Sequence, residues 1–129
     1  MAWQDASGLA DQITDCLREF DWTEAEKKVE ELIGRLRQEQ ALFPEAQAKR
    51  ILRELRAKRR FTAGERLAEA FILSGVRSAQ IRRQFAQTLI ESQQYASAEY
   101  VLQSILVEQP GSPFERTEAR GLLGRIYKQ

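Results

Sequence analysis

The chain is 129 residues long, 43% apolar and 30% charged, with 20 bases against 19 acids. That balance fits one globular domain with a core of its own rather than a disordered or membrane chain. No apolar run approaches the roughly 20 residues needed to cross a bilayer, and the first residues lack the basic start and apolar stretch of a signal peptide.

Every segment reads as helix. Leu9, Ile13, Cys16, Leu17 and Phe20 recur at helical spacing, with Ser7 as the expected N-cap. Cys16, the single cysteine, excludes an internal disulfide and fits a reducing compartment, so a cytoplasmic location is expected. Its place on the apolar stripe predicts a buried small hydrophobe. Thr23 and Glu26 form a capping-box pattern ahead of Val29, Leu32, Ile33 and Leu36. Pro44 fits the first turn of a third helix carrying Ala48, Ile51, Leu52 and Leu55. Thr62 is read as opening a fourth, with Leu67, Ala68, Phe71 and Ile72, which Gly75 stops. Ser78 caps a fifth with Ile81, Phe85, Ala86 and Leu89; residues 97–108 form a sixth, ended by Pro110 and Gly111. Thr117 and Glu118 start a seventh, with Leu122, Leu123, Ile126 and Tyr127. Nothing alternates with period two for long enough to be a strand. Short connections predict antiparallel neighbours.

The sequence nearly recurs at a spacing of 34 residues. Phe61-Thr62-Ala63-Gly64 is echoed by Tyr95-Ala96-Ser97-Ala98, Ile51 and Leu55 by Phe85 and Leu89, Leu67 by Val101, and Phe71-Ile72 by Ile105-Leu106. A fixed period of this length predicts stacked helix pairs, none able to bury its apolar face alone. Residues 80–111 read Arg82-x2-Phe85-Ala86-x2-Leu89, then Tyr95, then Ala98-x3-Leu102, then Pro110. This resembles the tetratricopeptide repeat, whose pattern is Trp-x2-Leu-Gly-x2-Tyr, Ala-x3-Phe, Pro. Leu123-Gly124-x2-Tyr127 matches a further start; Ile51-Leu52-x2-Leu55 with Gly64 and Ala68, and Trp22-x2-Ala25-x3-Val29, are weaker copies. The resemblance implies an all-α, right-handed α-solenoid of antiparallel helix pairs in a single domain, about seven helices in all. The pairs are expected at about 6–43, 44–77 and 78–112, followed by a terminal helix at 116–129. That last helix is rather apolar for a water-facing cap, and an N-terminal module of a longer protein is expected.

Net charge is +1, but its distribution is uneven: residues 1–47 are net −6, 48–83 net +8 and 84–129 net −1. Residues 49–60 hold seven bases against Glu54 alone. One reading is a solvated helix face and a basic turn, with Lys58, Arg59 and Arg60 favoured by a helix C-terminus. The resemblance implies another, because in tetratricopeptide stacks the first helix of each pair lines the concave groove. It places Lys49, Arg53 and Arg56 on that wall, then Arg83, Gln87 and Glu91, then Arg125 and Lys128. Such a groove would take an acidic peptide segment through charge-assisted hydrogen bonds. The family's carboxylate clamp also uses asparagines, and this chain has none.

Enzymatic chemistry has little to work with. No His is present, which removes the usual general base and the commonest metal ligand. No phosphate-binding glycine loop or nucleophile elbow occurs, and the pairs Glu26/Glu30 and Glu65/Glu69 lie among Lys and Arg, as helix-surface charges do. The expectation is a non-enzymatic protein-interaction scaffold without metal or cofactor. Self-association through the terminal helix is the alternative. Nucleic acid is less favoured at a pI of 7.9, with Phe61 the one aromatic near the basic cluster in sequence.

Overall fold

The computed structural model describes residues 2–128 and contains seven α-helices and no strand among them. They are α1 (Ala6–Arg18), α2 (Trp22–Gln38), α3 (Glu45–Ala57), α4 (Phe61–Ser74), α5 (Ala79–Glu91), α6 (Tyr95–Leu106) and α7 (Pro113–Tyr127). None of these helices is long and apolar enough to cross a membrane.

The turns repeat more faithfully than the helices. Phe20, Arg59 and Gln93 take left-handed backbone at φ 60, 58 and 62°. Each sits just past an odd-numbered helix. The amide after it donates five residues back: Asp21 to Cys16 O at 2.9 Å, Arg60 to Leu55 O at 2.9 Å, Gln94 to Leu89 O at 2.8 Å. This Schellman geometry satisfies carbonyls that the helix end would leave bare. The next helix begins at once on an aromatic residue, Trp22, Phe61 or Tyr95. Three positions on comes a buried small residue, Ala25, Gly64 or Ala98. A small residue there lets consecutive helices close up: a Cβ on Gly64 would already touch Leu55 Cβ at 3.7 Å.

The odd-numbered helices form a continuous row, α1 on α3, α3 on α5, α5 on α7. α1, α3 and α5 each also pack on the even-numbered helix that follows, so the all-α structure is helical-repeat-like. The even row is not continuous. α2 lies on α4, whereas α6 touches α5 and α7 but not α4. The α2–α4 contact carries Arg66, which holds both Glu30 oxygens at 2.8 Å. That guanidinium keeps the Glu30 carboxyl below its ordinary value.

Buried apolar side chains fall into two clusters, one running from Trp3 to Ile81 and the other from Ala86 to Ile126. Phe85 packs against both. In the first, the Trp3 indole donates to Ala41 O at 2.7 Å and stands edge-on to Phe43, which leans on Phe71.

Several local expectations are corrected. Asp5 rather than Ser7 caps α1, accepting from Gly8 N, and Asp21 rather than Thr23 caps α2, accepting from Glu24 N. In both places an Asp lies two residues ahead of the hydroxyl and intercepts the free amides first. Pro44 is the N-cap of α3 rather than its first helical residue. α4 opens on Phe61, one residue before Thr62, and α6 spans 95–106 rather than 97–108, because the tight turns restart the helix immediately. α7 starts at Pro113, four residues before Thr117, capped by Ser112 with Glu115 N as donor. A proline is well placed in a first turn, where its missing N–H costs nothing. Ser78 caps α5 through Ile81 N, and Gly75 ends α4 at φ 109°, both as expected. Phe20 leaves the α1 stripe and is 65% exposed, carried outward by its left-handed backbone. Cys16 is half-buried at the edge of the core. Burial, with Asp21 adding to it, pushes its thiol up and away from the reactive thiolate.

Candidate interaction site

α3 buries Ala48, Ile51, Leu52 and Leu55, which leaves Ala46, Arg53 and Ala57 outward, with Lys49 and Arg56 half-buried beside them. The stripe follows from helical spacing: 49, 53 and 56 stand at i, i+4 and i+7. Lys49 reaches Glu45 on its own helix at 2.9 Å. That ammonium holds the Glu45 carboxyl below its ordinary value, against the opposing effect of burial. The Lys49 carbonyl accepts from Gln84 Nε2 at 3.1 Å, which ties α3 to α5.

The other bases of the dense stretch divide sharply by partner. Arg50 is drawn to α1, with Asp11 at 2.5 Å and Thr14 Oγ1 at 3.2 Å. Arg60 binds Glu26 at 2.6 Å and lies over the Trp22 ring at 4.8 Å. Lys58 stands over Phe20 and Arg59 over Phe61, each 5.1 Å from the centroid. Arg53 and Arg56 have no hydrogen bond or ion pair with the described residues. Of the seven bases, these two are the open charges on the outward face of α3.

The remaining expected site residues lie on α5 and α7, the next helices in the odd row. Arg83 donates to Glu115 at 2.5 Å, and the two side chains are only 15% and 9% exposed. Its charge is therefore consumed between α5 and α7. Gln87 is half-buried, and its Oε1, like that of Gln84, is shielded from solvent without a hydrogen bond. Arg125 comes to 3.9 Å from Glu91, and Lys128 is exposed. Six of the seven residues thus lie on three adjacent helices and Lys128 caps the last, with their charges differently engaged: Arg53 and Arg56 open, Arg83 satisfied, Lys49 and Arg125 paired near solvent.

Two features escape a reading of the sequence. One is Glu115, whose only signal is its place at i, i+4, i+7 with Ala119 and Leu122 on the buried stripe of α7. The other is the grouping of Phe20 and Trp22 with the 58–60 turn, because those rings come from a different pair and are matched only by the fold. Elsewhere, a cleft of about 440 Å³ lies between α2 and α4, floored by Ile33, Leu36 and Ala70 beneath the exposed Leu73.

No protein-family model matches this chain, and none of the curated proteins or solved structures compared with it does.

Proposed function

We propose that the chain is a non-enzymatic interaction scaffold: a right-handed, tetratricopeptide-like stack whose odd-numbered helices present a basic wall to an acidic segment of a partner protein. The observation that carries this reading is the pair Arg53 and Arg56, unengaged on the outward face of α3 while the neighbouring bases are bound to carboxylates or stacked on rings. An unpaired guanidinium on a helix face offers a two-toothed donor to an incoming carboxylate. The row of helices and the recurring turn support a stacked arrangement that would hold these groups in fixed register.

The test uses a fluorescein-labelled peptide of alternating Glu and Ala, with a DNA oligonucleotide of equal charge as rival. The wild-type chain should bind the peptide with an affinity that falls steeply as salt rises. The triple substitution Lys49→Glu, Arg53→Glu, Arg56→Glu should weaken it at least tenfold, about 1.4 kcal/mol, with the circular dichroism unchanged. Equal affinity in the two proteins, or tighter binding of the oligonucleotide, would overturn the reading.

A further inference from the structure

α7 turns Glu115, Ala119, Leu122, Leu123 and Ile126 toward α5 and α6. At 100° per residue the opposite face carries Thr117, Gly121 and Gly124. A Cβ added to either glycine would meet nothing within 4 Å. Arg120 and Tyr127 flank this strip on the side of α6, where the Tyr127 hydroxyl reaches Glu99 at 3.2 Å. Arg125 flanks it on the side of α5, near Glu91. Tyr127 is 61% exposed, and among the described residues no helix covers this face.

α5 shows what covers the same face when it is occupied. A shift of 38 residues lays Gln84 on Leu122 and Thr88 on Ile126, all four buried. The same shift lays Arg82 on Arg120, Ala86 on Gly124 and Leu89 on Tyr127. On α5 the 82/86/89 edge of that strip is sealed by α6, whereas Arg83, the counterpart of Gly121, turns to Glu115 of α7. Ala86 and Leu89 are 0% and 2% exposed, in one cluster with Ala98, Leu102 and Ile105. Arg82 donates to Ser104 Oγ at 3.1 Å and to the carboxylate of Glu108, just past the C-terminal end of α6. On α7 the small residue and the arginine recur, with Tyr127 in the place of Leu89, and Arg120 has no hydrogen bond or ion pair with the described residues.

We infer that this face of α7 is a docking site for an amphipathic, acidic helix of a partner molecule, lying antiparallel to α7. It sets a small residue against Gly124, leucine or isoleucine beside Tyr127, and a carboxylate near its C-terminal end against Arg120. The charge decides against a second copy of α7 as occupant. α7 itself sets Arg120, Arg125 and Lys128, all exposed, on or beside the strip against Glu118 alone; Glu91 and Glu99 border it from α5 and α6 at Arg125 and Tyr127, and Arg120 has neither beside it as a partner, so two such faces would set cation against cation.

The probe is a capped peptide of residues 94–109 of this chain, which carries Ala98, Leu102, Ile105 and Glu108. Added to the isotope-labelled full chain, it should give saturable NMR shifts at Arg120, Gly124 and Tyr127. Gly124→Leu fills open space, so the fold should persist while binding drops more than tenfold. Arg120→Glu should weaken binding about tenfold, the loss of a pair plus a like-charge contact, and Glu108→Lys in the peptide should restore it. The variant carrying Glu at 49, 53 and 56 should bind the peptide unchanged, which separates this site from the basic wall. Shifts confined to α5, indifference to Gly124→Leu, absence of binding at about 1 mM peptide, or a self-dimer abolished by Gly124→Leu would each overturn the inference.

Discussion

Phe20, Arg59 and Gln93 carry a backbone conformation that costs a side-chain-bearing residue about 1 kcal/mol or more, because its Cβ crowds a carbonyl. Glycine would relieve that crowding, as Gly75 does at the end of α4. At two of the three turns the side chain has other contacts: Phe20 packs on Trp22 and under Lys58, and Arg59 covers Phe61. Gln93 is exposed and makes no side-chain hydrogen bond. Gln93→Gly should therefore stabilise the protein by about 0.5 kcal/mol, the relieved crowding outweighing the entropy that glycine adds to the unfolded chain. Urea unfolding followed by circular dichroism measures it. A lower midpoint would mean that the turn is held by something other than its hydrogen bonds.

Between elements, the decisive group is the Arg83–Glu115 pair, which joins α5 to α7 with both side chains largely out of water. Removing one member strands the other charge in a poorly solvated place, a penalty of roughly 3 kcal/mol. Glu115→Ala should cost about that much, and Arg83→Met with Glu115→Leu should recover most of it; paired urea titrations compare the two. If the double variant is no better than the single one, desolvation is not what the pair opposes. The pair also shows where the sequence stops informing. Helix positions, the apolar stripes and the 49/53/56 face are set by local spacing and were legible. Which arginine is open and which is consumed depends on carboxylates 32 to 39 residues away, as with Arg83 and Glu115 or Arg50 and Asp11. Local pattern carries no information on that. The caps of α1 and α2 were missed for a related reason: at Asp5 and Asp21 two candidate side chains compete, and backbone geometry selects between them.

Across the whole molecule the two buried apolar clusters meet at α5. The even row is interrupted between α4 and α6, so α5 carries the helix packing between the two halves, and the α6 N-cap Gln94 adds a hydrogen bond to Glu65 of α4 at 2.7 Å. On α5, Phe85 is the side chain that packs into both clusters. In a chain of repeated units, stability is the sum of unit terms and nearest-neighbour interface terms. Cooperativity then survives only while the interface exceeds the difference between the units. Truncating a half-buried phenylalanine removes about 2 kcal/mol of that coupling. Both tryptophans belong to the first core or its edge, since Trp3 is within it and Trp22 packs against it. Their fluorescence reports one end of the molecule, while far-ultraviolet circular dichroism reports all seven helices. In the wild-type chain the two urea curves should coincide. In Phe85→Ala the dichroism should begin to fall at lower urea than the fluorescence, because α6 and α7 unfold while the helices around Trp3 and Trp22 persist. Coincident curves in the variant would show instead that contacts other than Phe85, such as the Gln84 to Lys49 hydrogen bond, hold the two halves in a single transition.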